Sequence, residues 1–231
     1  WVIKPVEIDD VPIVNLTLYS DRYSDHELRR IGEEVLSRLS EVEDISRATL
    51  VGGRKREVRV ELLPERMSGR GVSPLQVYQA LGATDAAVTA GSFASANRAV
   101  TVTSDSFVAS AEEVRRLVVG VHEGRPVYLE DVARVLDGPE EAEHYTRIGF
   151  SRRYQEAGAL PPEQASCPAV TLALAKKKGT NAVWVARDIL DRLETLKETV
   201  IPAGVHVEVT RNYGRTAQDK VNDLLGSLAF A

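Results

Sequence analysis

The sequence predicts an α+β fold, and three observations lead there. Residues Pro12 to Leu18 and Pro168 to Leu174 both read P-x-V-x-L-x-L, an internal repeat. Each copy is followed by an amphipathic helical pattern and then by a short β-branched run, so one strand–helix–strand unit occurs twice. Between the copies lies a stretch with its own mixture of helix caps and alternating runs, which reads as an inserted α+β lobe.

The elements follow in order. Residues 11–20 alternate apolar and polar, the period of a half-buried strand. Ser24 and Glu27 form a capping box that opens a helix with the stripe Leu28, Ile31, Val35 and Leu39. Ile45 to Val51 and Arg56 to Leu62 are two further alternating runs around Gly52-Gly53, which predicts a hairpin or a sharp strand reversal closed by Pro64. Ser73, Pro74 and Gln76 open a second helix, to about Ala83. Residues 84–98 are small and polar apart from Phe93, and predict a projecting loop leading into a strand at Ala99–Thr103. Ser110 and Glu113 cap a short helix. Leu117–Val121 and Pro126–Leu129 read as strands around Glu123-Gly124, and Gly138-Pro139 marks a boundary. One more strand is expected at 143–150, then a polar loop at 151–166. The second repeat supplies a strand at 168–175, a helix at about 181–197 with Val183, Ala186, Ile189, Leu190, Leu193 and Leu196 on one face, and a strand at 205–211. The tail from Tyr213 is amphipathic through Val221, Leu224, Leu225 and Leu228. Doubled units of this kind commonly pair into a ferredoxin-like sheet with both helices on one face.

Composition narrows the chemistry. A net charge of −5 argues against a nucleic-acid partner, whose binding depends on cationic side chains. A single cysteine, Cys167, excludes an internal disulfide and reads as a small apolar filler. The four histidines, His26, His122, His144 and His206, have no ligand-spaced partners, so they read as solvated or strand-face residues and no metal or other cofactor is expected. Glu112-Glu113 and Glu140-Glu141 are carboxylate pairs, but nothing nearby forms a catalytic constellation, and the chain is not expected to be an enzyme. Gly52-Gly53-Arg54-Lys55-Arg56 lacks the spacing of a phosphate loop and reads as a charged reversal. Lys176 to Asn181 leaves two readings: an anion site at a helix start, or an N-cap at Thr180 or Asn181. The first would suit a stand-alone regulatory module that binds a small ligand or anion.

Three stretches taken together resemble a known family: VGGRKREVRVELLPERMSGRGVSPLQV at 51–77, RPVYLEDVARVLDGPEE at 125–141 and KKGTNAVWVA at 177–186. Their order and spacing are similar to the periplasmic part of resistance–nodulation–division (RND) exporter permeases, above all the hydrophobe/amphiphile drug-efflux branch. The resemblance implies a periplasmic portion of an inner-membrane protein, anchored by membrane helices outside this chain. Residues 11–55 plus 139–211 would form a porter subdomain, 56–138 a docking subdomain, and 212–231 an amphipathic lead-in to a membrane helix. It further implies a homotrimer working with a periplasmic adaptor and an outer-membrane channel, and a substrate pathway for hydrophobic or amphiphilic small molecules. The residue before the Gly-Gly reversal, an aromatic in well-known multidrug exporters, is Val51 here. Strand alternation adds Thr49, and the 143–150 run adds His144, Thr146 and Ile148, as pathway residues. Val88, Thr89, Ala90 and Gly91, with Phe93, resemble the start of a trimer-contact loop. The lone Met67 disfavours the heavy-metal branch, which passes soft ions along methionines.

Overall fold

The computed structural model describes residues 11–84, 88–95, 98–104, 110–151 and 166–229. The chain is mixed helix and sheet and divides into two compact units, Trp1–Lys55 with Glu140–Ala231, and Arg56–Pro139. Among the described residues no helix is long and apolar enough to cross a membrane.

The first unit holds β1 (Val14–Tyr19), α1 (Asp25–Leu39) and β2 (Ile45–Val51) from one repeat. The other repeat supplies a long strand (Ser166–Lys176), a helix (Ala182–Thr199) and a closing strand (His206–Asn212). In chain order, counting the elements of the second unit given below, these three are β10, α6 and β11. The sheet order is β11-β1-β10-β2, so each repeat's second strand lies beside the first strand of the other repeat. The repeat explains the register. Leu16 and Leu172 occupy equivalent positions in the two P-x-V-x-L-x-L copies and are direct antiparallel partners, with Val14 opposite Leu174 and Leu18 opposite Val170. The two central strands are thus related by a local two-fold axis.

Alternation then sends Val14, Leu16, Leu18, Val170, Leu172 and Leu174 to one face, where Leu28, Val35 and Leu39 of α1 and Val185, Ile189, Leu193 and Leu196 of α6 complete the core. The caps hold as read. Ser24 Oγ accepts from the Glu27 N–H while the Glu27 carboxylate accepts from the Ser24 N–H at 2.8 Å, and Asn181 Oδ1 accepts from the Val183 N–H at 2.8 Å. The tail forms α7 (Tyr213–Ala229). It starts hard against α6: a Cβ on Gly214 would lie 2.8 Å from the Ala182 carbonyl oxygen. Farther along, Val221, Leu224, Leu225 and Leu228 are exposed.

The second unit contains β3 (Arg56–Leu62), α2 (Pro64–Arg70), α3 (Pro74–Thr84), β4 (Val88–Ser95), β5 (Arg98–Ser104), α4 (Ala111–Arg115), β6 (Val118–His122), β7 (Arg125–Tyr128), α5 (Leu129–Val132) and β8 (Ala133–Pro139). Its core is Met67, Val77, Val119, Val127, Leu129, Val132 and Val135 with smaller neighbours. The β6–β7 turn needs left-handed backbone at both central residues, Glu123 (φ 50°) and Gly124 (φ 76°), and glycine fits the second without strain.

Four expectations change. The runs flanking Gly52-Gly53 do not form a hairpin: β2 pairs with β10 and β3 with β8, because Ala48 and Leu50 match the apolar face of β10. Pro64 does not merely end a strand but starts α2, where its missing N–H costs nothing. Residues 88–95, read as part of a loop, are a strand paired with β5, since a backbone ladder can order small residues that have no apolar period of their own. The 143–150 strand shrinks to β9 (Arg147–Gly149), which pairs with Ser166–Pro168 of β10. The expected loop at 151–166 lies almost wholly outside the described residues.

Where the first unit yields to the insertion, Lys55 and Glu140 are tied together. The Glu140 N–H donates to the Lys55 carbonyl at 2.9 Å, and the Lys55 N–H donates to Glu140 Oε1 at 3.0 Å.

Candidate functional site: the helix-free sheet face

Both crossover helices cover one face of the five-stranded sheet, which leaves the alternate residues on the other. Directly opposed residues share a face, so the register draws this surface row by row. One row is Arg211, Asn15, Ala173 and Thr49; the next is Glu208, Thr17, Thr171 and Val51. A third is His206, Tyr19 and Ala169, continued by Thr146, whose carbonyl accepts from the Ala169 N–H at 3.0 Å. Ile148 lies opposite Cys167 and packs with Phe150 on the small cluster of Tyr19, Cys167 and Ala169.

Of the residues expected on a pathway, the fold therefore brings Thr49, Val51, Thr146 and Ile148 to one face. Val51 is 52% exposed and Thr49 half-buried. His144 lies in the exposed coil before β9. Val88, Thr89, Ala90, Gly91 and Phe93 all fall on β4 in the other unit. The sequence reading missed Asn15, Thr17, Thr171 and Ala173. The signal was present, because these are the x positions of the P-x-V-x-L-x-L repeat and must face away from its apolar positions.

The surface is polar at its centre and apolar at one end. Thr17 Oγ1 lies 3.0 Å from Thr171 Oγ1 and 3.2 Å from Thr210 Oγ1, a hydroxyl chain across three strands. Asn15 Oδ1 is buried and, among the described residues, has no hydrogen-bond partner. At the apolar end Tyr19 packs between Phe150 (centroids 5.1 Å) and His206 (5.3 Å). Burial, helped by the Glu208 charge, pushes the Tyr19 hydroxyl pKa up, and burial does the same to the Cys167 thiol.

The Gly52-Gly53 reversal beside Val51 is pinned to the first turns of α1. Arg29 Nη1 donates to the Gly52 carbonyl at 2.8 Å and to that of Gly53 at 3.2 Å, and His26 Nδ1 lies 3.1 Å from the Arg54 carbonyl. His26 is thus half-buried and tied to backbone, not solvated. Thr146 closes the other side; a Cβ on Gly52 would lie 2.5 Å from its Oγ1. Arg54 grips Asp25 through Nε and Nη2, both at 2.9 Å. That hydrogen bond, more than the charge alone, holds the Asp25 carboxyl below its ordinary value of 3.8. A depressed folded-state pKa stabilises the fold above the ordinary value, and the contribution disappears as pH falls through the depressed one. Asp25→Asn should therefore cost about 1 kcal/mol at neutral pH. In urea titrations the gap to the unmodified protein should close below pH 4, and a gap that persists at pH 2 would contradict this role for the pair.

The other sequence candidates have structural occupations. Around Lys176 to Asn181, Asn181 is the N-cap, Thr180 Oγ1 donates to the Lys177 carbonyl, and Lys177 lies 3.9 Å from Asp44. Glu112 pairs with Arg115 and Arg116, and Glu140 with the Lys55 backbone. Among the described residues no three His, Cys, Asp or Glu side chains gather as a metal-ion ligand set.

Comparison with known proteins agrees with the motifs. The profile of the AcrB/AcrD/AcrF family matches residues 2–231. The multidrug resistance proteins MdtC of Yersinia pseudotuberculosis serotype O:1b (strain IP 31758) and of Yersinia pestis bv. Antiqua (strain Angola) are each 29% identical over 223 residues, covering 96% of this chain and 20% of theirs. The chain spans about a fifth of the length of these curated relatives. With its three motifs in order and the profile matched along almost its whole length, the chain belongs to the AcrB/AcrD/AcrF family of RND efflux permeases.

Proposed function

We propose that this chain is the periplasmic porter-and-docking portion of a proton-driven RND multidrug efflux permease of the inner membrane. In this reading residues 11–55 and 139–211 are a ferredoxin-like porter subdomain. The order β11-β1-β10-β2, with both crossover helices on one face, supports it. Residues 56–138 are the docking subdomain, and Val88, Thr89, Ala90, Gly91 and Phe93 belong to its trimer contact. The complete permease works as a homotrimer with an adaptor and an outer-membrane channel. Residues 212–231 lead into a membrane helix, in keeping with the exposed leucines of α7.

The observation that carries the reading is the helix-free sheet face with Thr49, Val51, Thr146 and Ile148 on it. A face that is polar in the middle and apolar at one end suits hydrophobic and amphiphilic molecules. Its chemistry differs from an aromatic-lined pocket, because Val51 replaces the ring at the reversal.

In the full-length permease, Val51→Trp should change resistance to bulky substrates by about fivefold, the equivalent of about 1 kcal/mol in binding. Glu130→Gln, an exposed change in the other unit, should leave it alone. Unaltered resistance to every substrate at normal expression of Val51→Trp would remove this face from the pathway.

A further inference from the structure

The internal repeat supplies its own control for the Gly52-Gly53 reversal. Gly53 lies two residues beyond the end of β2, and Gly214 two residues beyond the end of β11. Each packs on the first turn of its own repeat's helix in the same way. A Cβ on Gly53 would lie 2.6 Å from the carbonyl oxygen of Asp25, the first residue of α1, and 2.7 Å from Cβ of Arg29. A Cβ on Gly214 would lie 2.8 Å from the carbonyl oxygen of Ala182, the first residue of α6, and 2.5 Å from Cβ of Ala186. Both joints therefore require a glycine, because no side chain fits against the helix.

They do not both require an arginine. Asp25, His26 and Arg29 of the first repeat correspond to Ala182, Val183 and Ala186 of the second, so the same joint closes there on small or apolar residues. What differs is the chain beyond the joint. After Gly214 it continues as α7, whose own ladder serves its carbonyls; after Gly53 it runs through Arg54 and Lys55 outside any helix or strand. The carbonyls of Gly52 and Gly53 are thus left to water or to a side chain, and both glycines are half-buried, within reach of solvent. Arg29 takes them instead. Its side chain is 13% exposed and is steadied by Glu33 at 3.0 Å, while one nitrogen, Nη1, reaches both carbonyls. Charge-assisted bonds hold an acceptor more firmly than water does. The clamp acts on two residues with positive φ, immediately after the half-exposed Val51.

We propose that Arg29 is a positioning residue for substrate preference: it fixes the two glycine carbonyls and, through them, how Val51 is presented on the sheet face. This role rests on the reading that the face carries substrate. Arg29 belongs to α1, on the helix-covered side of the sheet, and acts through the reversal rather than on the transported molecule.

The test compares efflux of rhodamine 6G with efflux of the smaller ethidium by the full-length permease at matched membrane levels. Both dyes carry one positive charge, and a loss of folded protein lowers both rates together, so their ratio reports preference alone. Arg29→Ala should shift the ratio by about threefold, and in that background the effect of Val51→Trp should shrink to below about twofold. Arg29→Lys, which returns a charged donor, should bring the ratio part of the way back. Arg38→Ala, which removes an exposed ion pair with Glu34 from the same helix, should leave it unchanged. In urea, Arg29→Ala in the 231-residue chain should shift the midpoint less than Gly53→Ala, since the second repeat makes this joint with alanine. A ratio unmoved by Arg29→Ala, or moved as far by Arg38→Ala, would overturn the proposal. So would a Val51→Trp effect of equal size in both backgrounds, or an Arg29→Ala chain that does not fold. A ratio that Val51→Trp leaves untouched in the unaltered permease, or efflux of neither dye, would instead remove the sheet-face reading and this role with it.

Discussion

Gly53→Ala should lower the stability of the first unit by about 3 kcal/mol, among the larger effects of a single methyl group. Two penalties combine. Gly53 has φ +68°, a backbone conformation that costs a residue with a Cβ about 1–2 kcal/mol. The added Cβ would also lie 2.6 Å from the Asp25 carbonyl oxygen, 2.7 Å from Arg29 Cβ and 2.8 Å from Val170 Cγ1. None of these is the free end of a flexible side chain, so relief requires moving α1 or the central strand. Gly124→Ala separates the two terms. Its φ is +76°, but nothing lies within 4 Å of the new Cβ, so only the conformational cost of about 1 kcal/mol should appear. Urea unfolding of both variants measures the difference. Equal losses would mean that the reversal does not bear on α1 as closely as the geometry has it. Because Val51 precedes this turn, the same substitution should also disturb the sheet face.

Leu16→Ala should cost about 3 kcal/mol, the middle of the range for truncating a buried leucine. Leu16 is 0% exposed and so is its two-fold partner Leu172. Both contribute to the layer between the central strands and the two crossover helices, where collapse around a void is hindered from both sides. Leu172→Ala should therefore cost a similar amount. The double variant should depart from the sum of the two, since the side chains share a cavity. Leu224→Ala is the contrast: at 70% exposure it should change stability by less than about 0.5 kcal/mol. Chemical unfolding of the four proteins settles the point, and a Leu16→Ala loss no larger than that of Leu224→Ala would contradict the core assignment.

Local signals made much of both units legible. The capping boxes at Ser24 and Ser73, the N-cap at Asn181 and the turn at Glu123-Gly124 are short-range chemistry, fixed by residues three or fewer positions apart. The α6 stripe could be read because helical period shows within a single element, although Val185 joins its buried set unannounced. Pairing between strands was harder. Nothing near Gly52-Gly53 says that β2 must seek β10, more than a hundred residues later, rather than the adjacent β3. The β4 strand was hidden for a related reason: its order comes from the ladder with β5, and its own residues carry no apolar period. At the candidate site, Val51 and Thr49 followed from a motif plus alternation. Arg29 and Asp25, which hold the reversal in place, could not be told from ordinary charged residues of an exposed helix face.

The tie between Lys55 and Glu140 bears on ancestry. A chain that leaves a domain and returns to it at hydrogen-bonding distance leaves the host's strand order undisturbed, whatever is spliced between. Closing a longer excursion between fixed ends adds only about 0.6 kcal/mol per doubling of its length. The duplicated half-domain can thus be regarded as an ancestral chassis, and Arg56–Pro139 as a cassette set into a seam that a gene could open and lengthen without redesigning the sheet.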